Sequence, residues 1–254
     1  MALPGKVLLP APCPLLTLIF SIMKKLVLFD IDGTILWTDG AGRRAIRRAL
    51  VAEMGTAGPI DQGYRLDGKT DPQIVRELML AAGHPQAESE DSIVRVCRRY
   101  VEFLAVELEQ GRPGTRIFPG VEPLLLTLEQ SGDAVIGLLT GNVAEGAALK
   151  LEAAGVDPTR FRVGAYGSDA ADRGALPVIA VRRAEPVMGR APEGGDVVII
   201  GDTPADVTCG RSVEARAIGV GTGHYTRDDL LAAGAYAAFE SFVDLDPVLD
   251  AIFR

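Results

Sequence analysis

Two aspartates one residue apart, Asp30 and Asp32, follow the apolar run Leu26-Val27-Leu28-Phe29 and precede Gly33-Thr34. Carboxylates this close repel each other unless a cation or a shared proton lies between them. Gly33 lets the backbone turn sharply or come close to a ligand. The apolar run is short, continuous and bounded by breakers, so it reads as a buried strand. Period-two geometry then predicts that Asp30 and Asp32 share one side of that strand. The pattern points to a metal-assisted reaction centre. For this stretch alone, a strand followed by an acidic turn is an equally good reading.

Two later stretches carry matching chemistry. An apolar strand predicted at 134–139 ends in Thr140-Gly141-Asn142, and another at 197–200 ends in Gly201-Asp202-Thr203-Pro204-Ala205-Asp206. If these strands are neighbours of the first, three or four carboxylates, a hydroxyl and two helix N-termini converge. Such carboxylates need a hard cation, and Mg²⁺ is the usual partner, held by one or two of them with waters and a phosphate. Helix N-termini and a threonine hydroxyl suit phosphate oxygens. Each piece also has a plainer reading. Thr140 fits an N-cap, and Asp206 fits the acidic partner of a capping arrangement begun at Thr203. Asp202 is harder to dismiss, because a carboxylate ending so apolar a strand needs a partner.

The elements that must position these residues follow from the periodicity. Residues 38–115 read as helices with no strong strand: 41–54, 71–82 opened by Asp71-Pro72, and 88–110. Arg43, Arg44, Arg47 and Arg48 on the first helix read as a solvated face. From 119 onward, helices at 121–130, 144–154, 176–188, 204–213, 227–233 and 246–253 alternate with strands. Beyond the two already named, those strands fall at 161–165, 217–220 and 236–239. Such alternation implies an α/β fold, a Rossmann-like parallel sheet with helices on both faces. Ligands bind such sheets at the carboxyl ends of the strands. The expected organisation is a core of 23–37 and 116–254, a helical insertion at 38–115, and an N-terminal extension at 1–22. The extension carries Pro4, Pro10, Pro12 and Pro14 and a short apolar run before Lys24-Lys25. A disordered tail or an over-extended start is favoured over a signal peptide or anchor, because no small-x-small cleavage site follows the run.

Composition narrows the partners. The 254-residue chain has a formal charge of −8, which argues against a nucleic-acid or anionic-membrane binder. Cys13, Cys97 and Cys209 are odd in number and lack a C-x-x-C, so no disulfide framework or zinc site is indicated. His84 and His224 are the only histidines. That disfavours a histidine triad, although one of them could touch a substrate. Lysine is scarce, at positions 6, 24, 25, 69 and 150.

Taken together, Asp30-x-Asp32-Gly33-Thr34, Thr140-Gly141-Asn142, a basic residue before a later helix and Gly201-Asp202-x-x-x-Asp206 resemble the haloacid dehalogenase-like superfamily of Mg²⁺-dependent phosphohydrolases. The helical insertion looks like the cap of the phosphoglycolate phosphatase and β-phosphoglucomutase branch. The resemblance spans roughly 24–254. It implies that Asp30 is the nucleophile giving an aspartyl-phosphate, and that Asp32 is the acid and base. It implies that Mg²⁺ is held by the Asp30 carboxylate, the Asp32 backbone carbonyl and Asp202, with Asp206 behind the metal or reaching it through water. Thr140, with the amides of Gly141 and Asn142, would hold the phosphoryl oxygens. The family's basic residue is usually a lysine, but no lysine follows Lys150. Arg173 is the positional match, with a different donor geometry. Val213-Glu214-Ala215 also stands where such chains often place a helix-ending glycine.

The resemblance further implies that the loop at 66–71 helps to choose the substrate, so Gly68 and Lys69 are expected to bear on specificity. Lys69 could pair with an anionic group, act as a Schiff-base lysine as in phosphonoacetaldehyde hydrolases, or simply be exposed. Neighbouring Asp67 and Asp71 favour its charged form, which works against the Schiff base. The expected function is hydrolysis of a small phosphate monoester, phosphoglycolate-like, by a cytoplasmic monomer or small homo-oligomer without stable membrane association. A phosphonatase, a phosphosugar mutase and a non-catalytic phosphate-binding protein are the alternatives.

Overall fold

The computed structural model describes residues 24–111 and 114–254. The extension at 1–22 lies outside the described residues. The central sheet has six strands: β1 (Lys25–Phe29), β4 (Ala134–Thr140), β5 (Val163–Tyr166), β6 (Val197–Gly201), β7 (Arg216–Val220) and β8 (Ala237–Phe239). Their order is β5-β4-β1-β6-β7-β8 and every pairing is parallel. The α/β Rossmann-like expectation therefore holds. β1 lies between β4 and β6, with Phe29 opposite both Leu138 and Ile200. The three strand ends that carry the acidic and hydroxyl motifs are thus adjacent and level.

Alternating side chains feed two cores. Val27 and Phe29, with Ile136, Leu138, Val198 and Ile200, join α4 (Val121–Ser131) and α9 (Leu245–Phe253) on one face. Leu26 and Leu28, with Val135, Leu139, Val197 and Ile199, join α6 (Leu176–Met188) on the other. Both faces of each central strand are apolar, as a sheet covered on two sides requires.

A short antiparallel ribbon, β2 (Leu36–Trp37) with β3 (Arg116–Ile117), brackets the helical stretch. Residues this few carry no periodic signal, and the sequence reading passed over them. Between them lie α1 (Ala41–Met54), α2 (Asp71–Ala81) and α3 (Glu90–Gln110). These helices pack their own cluster around Ile46, Leu50, Leu78, Tyr100 and Leu104. Val143, at the start of α5 (Ala144–Ala153), also belongs to that cluster, so the helical layer rests on the core there.

The arginines of α1 form the expected solvated face, with the Arg44, Arg47 and Arg48 side chains 46%, 49% and 40% exposed, yet each also has a partner. Arg44 and Arg48 each bind one carboxylate oxygen of buried Glu107 on α3, both at 2.7 Å. Arg43 donates to the carbonyls of Ile60 and Tyr64 at 2.8 and 2.7 Å. Only Arg47 pairs with an exposed acid, Asp61. Periodicity placed these residues on a polar stripe but could not show which segments they pair with. The predicted helix at 204–213 is also divided. α7 (Pro204–Cys209) gives way to a 3₁₀ turn at Gly210–Val213, which ends on left-handed Glu214.

Candidate active site

β1 stops at Phe29, and the chain then turns, with the amides of Thr34, Ile35 and Leu36 all donating to the Ile31 carbonyl. Asp30 and Asp32 therefore lie beyond the strand, so period-two geometry does not place them. The turn does, and it gives them different surroundings. Asp30 is buried, whereas the Asp32 side chain keeps 42% of its surface exposed. Both border one cavity of about 290 Å³, large enough for a small metabolite.

The buried side of the site is acidic. Asp202 follows β6, and its Oδ1 accepts from the Thr34 hydroxyl at 3.3 Å. Asp206, on α7, accepts from the Thr203 amide and hydroxyl at 3.0 and 2.6 Å, the capping box that the sequence offered as its plainer reading. Its other oxygen takes the Arg173 guanidinium, which also donates to Asp30 Oδ1 at 3.1 Å. Both Asp206 oxygens are thus engaged. Asp30 and Asp202 are the carboxylates with capacity left.

One guanidinium stands against three buried carboxylates whose ligand oxygens lie within 4.8 Å of one another. Burial first, and then Asp206, push the Asp30 carboxyl up to about 7, with Arg173 opposing. Burial, Asp206 and Asp30 push Asp202 well above the usual carboxylate range. Burial works against the charge of Arg173, but Asp206 and Asp30 outweigh it and hold the guanidinium protonated. All-oxygen donors with uncompensated negative charge fit a hard divalent cation, so these residues suit Mg²⁺.

Thr140 ends β4 and is fully buried. Its hydroxyl accepts from Asn142 Nδ2 at 2.8 Å, and the same Nδ2 donates to Asp32 Oδ2 at 2.8 Å. The N-termini expected to face a phosphate are largely taken by the protein. The amide of Asn142 donates to the Thr140 hydroxyl, that of Val143 to Asp71 Oδ2, and that of Ala144 to the Ser168 hydroxyl. The α7 terminus is closed by its capping box. Local caps that the sequence offered take some of these amides, and the distant Asp71 and Ser168 take the others.

The loop at 66–71 descends onto these motifs. Thr70 donates to the Ala171 carbonyl at 2.7 Å, and the Asp71 amide to the Gly141 carbonyl at 2.8 Å. A side chain at Gly141 would overlap the Lys69 carbonyl, and one at Gly68 would crowd Ala205. Glycine at both positions is therefore a condition of this close approach. Lys69 borders the cavity, but its ammonium is occupied by Glu77 at 2.6 Å and the Tyr64 hydroxyl at 3.0 Å. His224 reaches the cavity rim beside Trp37 and Asp67.

Two charged residues escaped the sequence reading. Lys150 on α5 is buried and donates to Asp32 Oδ2 and Asn142 Oδ1, both at 2.6 Å. The signal available was its place beside Ala147 and Leu151 on the inward stripe of the helix. Asp71, read as a helix start and a neighbour of Lys69, is buried under the loop. Burial pushes its carboxyl up to about 6, against the pull of Lys150 and the Val143 amide.

The sequence profile of the haloacid dehalogenase-like hydrolases matches residues 27–211, and the chain belongs to that family. No match was found among curated proteins. Among solved structures, the chain is similar to a hydrolase from Pseudomonas syringae, with a TM-score of 0.68 and 21% identity over 89% of this chain and 98% of that one. It is also similar to a predicted phosphoglycolate phosphatase from Haemophilus somnus, with a TM-score of 0.66 and 18% identity over 89% and 98%. CbbY from Rhodobacter sphaeroides, in complex with phosphate, gives a TM-score of 0.64 and 21% identity over 88% and 97%. At these identities the likeness bears on the fold. Among the described residues, no helix is long and apolar enough to cross a membrane.

Proposed function

We propose that this hydrolase is a Mg²⁺-dependent phosphatase acting on a small phosphate monoester, phosphoglycolate-like in size and charge, through an aspartyl-phosphate. The observation that carries the reading is the meeting of Asp30, Asp202 and Arg173 in one buried cluster at the carboxyl edge of the sheet, beside Thr140 and Asp32.

Asp30 attacks phosphorus as the bond to the leaving oxygen breaks. Asp32 gives that oxygen its proton, releasing an alcohol. Asp32 then takes a proton from water as the water oxygen attacks the phosphoryl group, which regenerates the Asp30 carboxylate and frees phosphate. Asp30, Asp202 and the Asp32 carbonyl would hold the cation, with Asp206 fixed behind them by Thr203 and Arg173. When bound, Mg²⁺ screens the repulsion between nucleophile and phosphate. Arg173 aligns Asp30, and the Thr140 hydroxyl and Gly141 form the wall against which the phosphoryl oxygens rest. The helical layer at 38–115 acts as a cap, and the loop bearing Gly68 and Lys69 shapes the space for the rest of the substrate.

The Lys69–Glu77 ion pair argues against a Schiff-base role, because a nucleophilic amine must be free of such a partner. The phosphatase reading is tested by hydrolysis of p-nitrophenyl phosphate with and without Mg²⁺, on the native enzyme and on Asp30→Asn. Turnover is expected only for the native enzyme with metal. Metal-independent turnover, or full activity in the variant, would remove the mechanism. A panel of phosphorylated metabolites then identifies the substrate.

A further inference from the structure

We propose that Lys150 is a positioning residue for proton transfer: with Asn142, it holds Asp32 so that one chosen carboxylate oxygen is left free to exchange the proton. The inference rests on the phosphatase reading above and adds a residue to it.

The geometry is asymmetric. Lys150 Nζ and Asn142 Nδ2 both donate to Asp32 Oδ2, at 2.6 and 2.8 Å. The two donors are themselves tied, since Nζ also donates to Asn142 Oδ1 at 2.6 Å. Asn142 Nδ2 is further fixed by the Thr140 hydroxyl. Asp32 Oδ1 receives no hydrogen bond from any described residue. Oδ1 is therefore the oxygen left free to exchange a proton with the leaving group, and the closed triangle Lys150–Asn142–Asp32 fixes its direction.

Packing supports a purpose beyond structure. The Lys150 side chain is only 5% exposed, and burying an ammonium is unfavourable unless it is paired. An apolar residue would fill this inward position of α5 more cheaply. The helical layer packs against Lys150. A Cβ at Gly42 on α1 would come within 3.5 Å of Nζ and 3.7 Å of the Tyr100 hydroxyl. The amide of Val143, one residue beyond Asn142, is held by Asp71 at the start of α2. Seating of the cap and orientation of Asp32 are thus parts of one contact set.

The test uses leaving-group chemistry. An alkyl alkoxide departs poorly unless protonated, whereas p-nitrophenolate departs unaided. A misdirected Asp32 must therefore harm alkyl phosphates selectively. For Lys150→Met, kcat/KM on an alkyl phosphate such as glycerol phosphate is expected to fall about 10²-fold, as for loss or misplacement of a general acid. On p-nitrophenyl phosphate the same variant should fall less than about tenfold. Asp32→Asn should show the same selectivity, and the double variant should be little worse than the single ones, because the pair acts as a unit. Lys150→Gln keeps a donor toward Asp32 and is expected to regain part of the alkyl-phosphate loss. It also serves if the methionine variant does not fold. Equal losses on both substrate types, no loss on either, or full additivity with Asp32→Asn would overturn the proposal. A native enzyme inactive on every phosphate ester would instead remove the phosphatase reading itself.

Discussion

On one side of the cavity Asp30, Asp202 and Asp206 crowd together, with Arg173 paired to Asp30 and Asp206 and all four side chains buried. On the other side the ammonium of Lys150 meets a half-exposed Asp32, with Asp71 within its electrostatic reach. The residue types are the same, yet the charge is closed in different ways. The buried side leaves negative charge that burial makes costly. The cap-facing side is closed by the chain's own lysine and by hydrogen bonds through Asn142. On the proposed mechanism the first arrangement receives a cation and a phosphoryl group. The second is complete without them and, as proposed, directs a proton. Asp30 and Asp32 are neighbours in sequence, and the turn after β1 delivers them to these two environments.

The largest test of this contrast is Asp30→Asn, which leaves the cap-facing side intact. Steady-state kinetics should show a loss of roughly 10⁴-fold or more, the scale for removing a nucleophile.

Next comes the cation. Chelation with EDTA should reduce turnover by at least about 10²-fold, since charge stabilisation by a metal is worth several kcal/mol. The stability effect has a definite sign. The folded Asp30 carboxyl sits near 7, above the value of about 3.9 for an unfolded aspartate. Its contribution to stability is therefore full below about pH 4 and is lost as pH rises through 7. Added Mg²⁺ should raise the melting temperature more at pH 8 than at pH 5. An equal rise at both would mean that the cation binds elsewhere.

Arg173→Met removes the one cation from the buried side. Without metal it should destabilise the fold by about 3–5 kcal/mol, as breaking a buried pair does. Chemical denaturation measures this, and the deficit should shrink when Mg²⁺ is added.

Smaller effects fall on the cap. Gly141→Ala places a methyl against the Lys69 carbonyl, so the loop at 66–71 must lift. KM should rise several-fold, and the melting temperature should fall as this backbone contact is lost. Lys69→Ala breaks a partly exposed pair with Glu77, and such pairs are worth about 0.2–1 kcal/mol. Its effect should appear in the ranking of substrates rather than in stability.

Much of the acidic side was legible in the sequence. Asp30, Asp202 and Thr140 each follow a strongly apolar strand, and apolar runs followed by turn residues report strand ends directly. The alternation of helices and strands from 119 onward, together with the strand preceding Asp30, implied a parallel sheet, which puts those ends on one edge. Arg173 was found by its place before α6. The cap-facing side was not legible. Lys150 looks like an ordinary helical lysine, and Asp71 like an ordinary helix opening. The β2–β3 ribbon is too short for any periodic signal.

Local sequence determined which elements form and what chemistry stands at their ends, because strand and helix periodicities are properties of neighbouring residues. The tertiary structure alone decided which partner each charge meets. It separated Asp30 from Asp32 at the turn after Phe29, gave Asp206 the Arg173 guanidinium, tied Lys69 to Glu77, and buried Lys150 against Asp32. Those outcomes depend on contacts between residues as many as 143 positions apart, such as Arg173 with Asp30, and on the burial that makes a charge require a partner.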